Sequence, residues 1–185
     1  MFLITRLLGL ILLIVLSPLL IIVSAIIILD DGFPILFKQK RVGVNNTLFE
    51  VYKFRTMKKG VPDIPTHLVE SPELLYTKSG PLFRKLSIDE LPQLLNIILG
   101  EMVFVGPRPA LYNQADLIEL RTKVGVHKLI PGVTGWAQIN GRDELSIPEK
   151  VSYDEYYLNN NSVYLDTKIL IMTILNVLRM QSVSH

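Results

Sequence analysis

Between Leu7 and Leu29 the chain runs for 23 residues without a charge, bounded by Arg6 and by Asp30-Asp31. As a straight helix this run would be about 35 Å long, enough for a hydrocarbon core of about 30 Å. A secretory signal peptide fits poorly, because the run is long and no Ala-x-Ala-like cleavage site follows it. A simple spanning helix is the plainest reading, and two features oppose it. Ser17-Pro18 falls near the middle, where proline removes a backbone hydrogen bond and favours a kink. Positive charge also flanks both sides, with Arg6 before the run and Lys38, Lys40 and Arg41 after it, whereas a spanning helix should show an asymmetry. A helix that bends at Ser17-Pro18 and returns keeps both flanks on one side, and the Ser17 hydroxyl can satisfy the carbonyl freed by proline. From these residues alone both readings stay open. Either leaves the remaining residues in the cytoplasm, which the lack of cysteine tolerates.

The 185 residues suit about one domain with one core, and their 49% hydrophobic content is at the upper end of ordinary for a soluble globular protein. A formal charge of +2 gives no argument for nucleic acid as a partner. Without cysteine, disulfides, thiolate zinc sites and cysteine nucleophiles are excluded. His67, His127 and His185 are scattered, so a metal here would be a hard, oxygen-bound ion such as magnesium.

Beyond the apolar run, Pro34 to Glu50 reads as short extended pieces around Gly43 and Asn45-Asn46, and Leu48 to Phe54 as a strand. Lys58 to Gly80, with three prolines, reads as a surface loop with some helix. A helix is predicted from near Ser87, since Leu91, Leu94, Leu95, Ile98 and Leu99 share one face and Gly100 ends it. Ser87 and Glu90 match a capping box, although Pro92 fits better if Asp89 is the N-cap. Met102 to Val105 reads as a short buried strand, Tyr112 to Val124 as a helix, and Trp136 to Ile139 as a strand before the Asn140-Gly141 turn. Glu149 to Leu158 is helical, with Tyr153, Tyr156 and Tyr157 on one side. A last helix from a Ser162 cap to Met180 has an apolar stretch too short to span, so it is core or interfacial. The sum is a small α+β fold in which helices predominate.

Asp89-Glu90 is the first candidate for chemistry. Adjacent carboxylates ordinarily just suit the positive end of a helix, but that field also favours the ionised form a carboxylate nucleophile needs. Arg84 precedes the pair by five residues, Arg108 stands between two prolines, Arg142 follows Asn-Gly, and Lys53 and Arg55 flank Phe54. Any one of these is ordinarily a solvated surface cation. Together, at rigid turns beside a membrane segment, they favour a phosphate-rich ligand, which guanidinium binds through paired hydrogen bonds. There is no Walker loop and no Gly-x-Gly-x-x-Gly segment.

The segments QKRVG (39–43), YKFRTM (52–57), LFRKLSIDELPQLLNIILGEMVFVGPRPAL (82–111), PGVTGWAQINGR (131–142) and YDEYYLNNNSVYLDTKIL (153–170) are specific and cover most of the chain after the apolar run. In that order they resemble the small monotopic phosphoglycosyltransferases, the bacterial sugar transferase family. The resemblance implies a re-entrant membrane helix (1–30) broken at Ser17-Pro18 and a small catalytic domain (31–185) with amphipathic interfacial helices on the cytoplasmic face of the bacterial inner membrane. It implies that Asp89 and Glu90 form a catalytic dyad and that a phosphosugar passes from a UDP-sugar to polyprenyl (undecaprenyl) phosphate through an aspartyl intermediate, releasing UMP. Magnesium would be held by Asp89. Arg84, Arg108 and Arg142, with Lys53 and Arg55 as weaker candidates, would bind phosphate and substrate. Membrane lipids are further partners, and a homodimer is compatible with the pattern. Glu101 departs from the family's usual Asp, and the loop around His67 to Ser79 follows no recognised pattern, which leaves the sugar unnamed. A lipid phosphatase and a non-enzymatic lipid-phosphate scaffold are the competing readings.

Overall fold

The computed structural model describes residues 2–61, 72–141 and 144–178. His67, Arg142, the end of the last helix at Met180 and much of the 58–80 loop therefore lie outside the described residues. The observed fold is mostly helical with two small sheets, in agreement with the α+β expectation.

The apolar run forms one helix, α1 (Phe2–Asp31), which continues through Pro18. Proline leaves the Ile14 carbonyl without its usual donor, and the Ser17 hydroxyl donates to that same oxygen at 2.7 Å, as the sequence anticipates. Most of the helix's apolar side chains face outward, and it is long and apolar enough to cross a membrane. Its other face packs on the rest of the protein along the whole length. Near one end the Arg6 guanidinium donates to the Leu99 carbonyl at 2.6 Å. Leu12, Leu13 and Leu16 lie against Leu94 and Ile97, and Val23 and Ile27 are buried with Phe54 and Phe83. At the far end Asp30 accepts from the Ser79 amide and hydroxyl, both at 2.8 Å, and Asp31 pairs with Arg55.

The expected extended pieces form an antiparallel hairpin of β1 (Leu36–Val42) and β2 (Leu48–Phe54), in register from Leu36 opposite Phe54 to Val42 opposite Leu48. A tight turn at Val44–Asn46, with Asn45 and Asn46 at positive φ, reverses the chain. A short helix, α2 (Gly80–Lys85), follows the loop and was not foreseen.

The helix expected from Ser87 is corrected in its first half. Ile88–Gln93 is a 3-10 turn, and the α-helix proper, α3, covers only Leu94–Leu99. Pro92 is the reason: an α-helix beginning at Ile88 would need the Pro92 N–H for the Ile88 carbonyl, and the ring would crowd that oxygen. Ser87 does not cap. It adopts the left-handed region at φ 54°, with no side-chain cap bond, so neither the Ser87–Glu90 box nor an Asp89 cap forms. Gly100 ends α3 as expected, at φ 86°.

Two segments that the motifs hold far apart then pair in parallel: β3 (Val103–Val105) and β4 (Gly132–Thr134). The approach is so close that a Cβ on Gly132 would collide with the Gly106 nitrogen. After α4 (Ala115–Lys123), the strand expected at Trp136–Ile139 is instead a single helical turn, α5 (Trp136–Ile139). The strand lies one step earlier, at β4, and Trp136 and Ile139 sit three apart so that both face the cluster around Val105, Tyr157 and Ile169. Next comes α6 (Ile147–Asn160), opened by a true capping box of Ser146 and Glu149, and then α7 (Val163–Leu178). The Ser162 hydroxyl accepts from the Leu165 amide at 3.2 Å, the cap that the sequence suggests. Of the three α6 tyrosines, Tyr157 is buried and donates to Asp166 at 2.7 Å, while Tyr156 is half exposed and stacks on Trp136.

Candidate active site

Strand β2 runs alongside the 3-10 turn that carries Asp89 and Glu90. Val51 on β2 packs against α3, and by alternation Lys53, two residues on, faces the same way. Its ammonium reaches Glu90 Oε1 at 2.8 Å. The same oxygen accepts from the Arg108 guanidinium at 3.1 Å. Glu90 and Lys53 are 11% and 17% exposed at their side chains, so this is a mostly dry cluster of one carboxylate and two cations. Burial pushes the Lys53 ammonium below its usual range and Arg108 and Arg41 add to that effect, while Glu90 and Asp89 oppose it. Asp89, itself buried, is thus close enough to act on Lys53.

Arg108 is presented by a turn with little freedom. Pro107 and Pro109 fix two φ angles and offer no N–H, so the turn is held through its carbonyls. Gly132 donates to the Pro107 oxygen at 2.9 Å, and the Val42 amide to the Ala110 oxygen at 2.9 Å. Arg41 donates to the Pro109 oxygen at 2.9 Å. On the other flank, Asn96 is fully buried and ties α3 to β2. Its amide nitrogen donates to the Glu50 carbonyl and to Glu101 Oε2, each at 2.7 Å, and its oxygen accepts from the Tyr52 amide at 3.1 Å. Glu101, the acidic residue after Gly100, thus serves as an acceptor at the base of the site.

Arg84 and Arg55 make further contacts. The Arg84 guanidinium lies 5.1 Å from the Tyr76 ring centre, a cation–π contact. Arg55 is placed elsewhere: it is buried, pairs with Asp31 and donates to the Pro34 carbonyl at 2.7 Å and the Asp31 carbonyl at 3.2 Å. Those bonds make it a clasp between the end of α1 and the hairpin. Arg41, Asn96, Arg121 and Asp154 were not singled out from sequence. Arg41, Asn96 and Asp154 each carried a signal, as members of the QKRVG, 82–111 and 153–170 segments, whereas Arg121 carried none.

Beside the cluster lies a cavity of about 290 Å³, near the lower end of small-molecule pockets. Its walls are mainly apolar, with Leu12 and Leu16 from α1, Leu94 and Phe104 from the core, and Val177 from α7. Glu90 and Arg108 also line it, so one space joins an apolar wall containing the membrane-type helix to the charged cluster. Such a site can hold an amphiphile whose head is anionic and whose tail is hydrocarbon.

Known proteins agree with this chemistry. The family model for bacterial sugar transferases matches residues 2–180. The chain is 46% identical over 154 residues to EpsL of Bacillus subtilis, described as an uncharacterised sugar transferase, covering 83% of this chain and 75% of that one. It is 41% identical over 183 residues to an undecaprenyl-phosphate glucose phosphotransferase of Komagataeibacter xylinus, covering 90% of this chain. It is 36% identical over 174 residues to the UDP-glucose:undecaprenyl-phosphate glucose-1-phosphate transferase of Escherichia coli strain K12, again covering 90% of this chain. The chain spans 33% and 38% of the lengths of those two transferases. Since the family match takes in α1, the acidic turn and the arginine turn alike, the chain belongs to the bacterial sugar transferase family.

Proposed function

We propose that the chain transfers a sugar 1-phosphate from a UDP-sugar to polyprenyl phosphate, through a covalent intermediate on Asp89. One observation carries the reading: Glu90, the neighbour of Asp89 in the chain and the partner of Lys53, lines with Arg108 the same cavity as the apolar side chains of α1 and α7.

In the first step an Asp89 oxygen attacks the β-phosphorus of the UDP-sugar. The bond from that phosphorus to the bridging oxygen breaks, and UMP leaves with the electron pair. In the second, a phosphate oxygen of polyprenyl phosphate attacks the same phosphorus, and the Asp89 carboxylate is released. The products are polyprenyl-diphosphate sugar and UMP. Division into two steps means that the two polyanionic substrates never meet directly. Lys53 and Arg108 offset the charge of the transferred phosphoryl group. Glu90 holds both cations on one oxygen, which supports a positioning role for it. Arg84 and Arg142 are assigned to the nucleotide diphosphate by the family pattern.

Among the described residues no group of three or more acidic or histidine side chains comes together. Magnesium commonly uses one or two carboxylates and completes its shell with phosphate oxygens and water, and Asp89 suits that mode. Held by Asp89, magnesium would supply charge neutralisation at the diphosphate.

The bonding of both ends of α1 to one body, through Arg6 and through Asp30 and Asp31, supports a re-entrant helix over a straight span. On this reading the enzyme sits at the cytoplasmic face of the inner membrane.

The test is UMP release by the purified protein in nanodiscs, with magnesium, undecaprenyl phosphate and a panel of UDP-sugars. Each donor is also run without lipid and with Asp89→Asn. Lipid-dependent release from one or two donors, lost in the variant, is expected. Repeated turnover without lipid, beyond the one UMP per enzyme that the first step releases, would make the protein a hydrolase, and an active Asp89→Asn enzyme would remove the aspartyl intermediate.

A further inference from the structure

We infer that Arg121 and Asp154, buried and remote in sequence from the acidic turn, form a positioning pair that sets the orientation of Arg108. The inference rests on the reading of Arg108 as a phosphate-binding residue.

Four successive carbonyls, from Pro107 to Ala110, each receive one donor, and three of those donors come from the hairpin and β4. The fourth comes from α4: Arg121 Nη1 donates to the Arg108 carbonyl at 2.8 Å. It is the donor that acts on the carbonyl of the functional arginine itself. The rest of the Arg121 guanidinium is held by α6, since Nε and Nη2 both donate to Asp154 Oδ2, at 2.9 and 2.6 Å. Arg121 is 9% exposed and Asp154 1%.

A pair so deeply buried is a poor device for stability. Desolvation offsets the attraction, and apolar side chains of similar volume often do as well or better. What the ions provide is direction. A planar guanidinium fixed on one edge by a carboxylate delivers its remaining N–H along a set line. That line ends on the Arg108 carbonyl, and rotating this peptide would swing the side chain that sits 3.1 Å from Glu90. Asp154, Arg121, Arg108, Glu90 and Lys53 therefore form one chain of contacts from α6 to β2.

Arg121 does not reach a substrate. The cavity that it lines measures about 30 Å³, room for about one or two waters. It acts through Arg108 and is a positioning residue.

Donor KM and kcat for UMP release, together with the thermal midpoint, would be measured for four proteins. They are Arg108→Ala, Arg121→Met with Asp154→Leu, that apolar pair in the Arg108→Ala background, and Arg121→Lys. The apolar pair is expected to keep the wild-type midpoint or exceed it while kcat/KM falls about tenfold to a hundredfold, the range for a misplaced binding group. Added to Arg108→Ala, it should lower kcat/KM no further, because the residue it positions is gone. Arg121→Lys, which keeps the charge but loses the fork, should show the same loss and serves if the apolar pair fails to fold. Wild-type kinetics in a folded apolar pair or in Arg121→Lys would overturn the inference, as would a full additional loss in the Arg108→Ala background. If Arg108→Ala alone left kcat/KM unchanged, the phosphate-binding reading would fall and this inference with it. A defect in Arg108→Ala without one in the apolar pair would sink only the positioning role.

Discussion

Replacing Glu90 with Gln tests the charged cluster most directly, because it removes one charge and almost no volume. Glutamine keeps an oxygen that can accept from Lys53 and Arg108, so the change isolates electrostatics. Two unit charges about 4 Å apart interact by about 4 kcal/mol at the effective dielectric of a partly buried site. Removing one partner of a buried pair costs about 3–5 kcal/mol. The Arg108 side chain is 25% exposed, which argues for the lower end of that range. A loss of about 3 kcal/mol corresponds to a drop of about 6–12 °C in Tm for a chain of this length.

The pH dependence gives the sharper criterion. The Lys53 ammonium titrates below its ordinary value in the folded protein, so the unfolded chain binds more protons and stability rises with pH. The window opens at the depressed folded pKa and closes at the ordinary lysine value of about 10.4. Glu90 is the main influence raising Lys53, and its loss extends the window to lower pH. The Tm gap between wild type and Glu90→Gln should therefore be widest on the acid side of both depressed folded pKa values and narrow as pH rises through them, below the ordinary lysine value. Tm measured at fixed scan rate in one detergent across that range decides it. A gap that is absent throughout, or that stays constant from the acid side of the window to the alkaline end, would refute the argument.

Asn96→Leu should cost about 3–6 kcal/mol, since the Tyr52 amide, the Glu50 carbonyl and Glu101 lose their buried partner; urea unfolding measures it, and a cost below about 1 kcal/mol would contradict the assignment. Arg55→Met should destabilise the protein by about 3 kcal/mol and speed proteolysis at the junction after α1, while donor KM in the surviving folded enzyme stays near wild type. A large KM effect would return Arg55 to the substrate site. Ser87→Val should be about 1–2 kcal/mol less stable than Ser87→Gly, because φ at this position is 54°. Equal midpoints in thermal unfolding would show that the turn relaxes.

Features decided within a few residues were legible in the sequence. The length of the apolar run, the Ser17 hydroxyl's service to the carbonyl below Pro18, the left-handed Gly100 and the Ser162 cap all depend on neighbours along the chain. Pro92 shows the limit of that reasoning. Its missing N–H was noted in the sequence, but whether the chain answers with a shifted cap or with a 3-10 turn depends on how the turn packs against β2. At Trp136 four residues were too few for a period to distinguish strand from helix, and the packing of Trp136 and Ile139 on one cluster decided it.

The charges were present in the sequence, but their partners were not. Lys53 meets Glu90 across 37 positions, Arg55 meets Asp31 across 24, and Arg121 meets Asp154 across 33. Spacing carries no information about such pairs, because a hydrogen bond depends on distance in space and not on separation along the chain. Sequence therefore determined which groups this protein has for phosphate chemistry beside a membrane. The tertiary structure decided that Lys53 and Arg108 face the acidic turn, that Arg55 clasps α1, and that Arg121 holds the backbone of Arg108. The physical reason is burial: only packing removes water from these ions, and once dry each must find the nearest opposite charge.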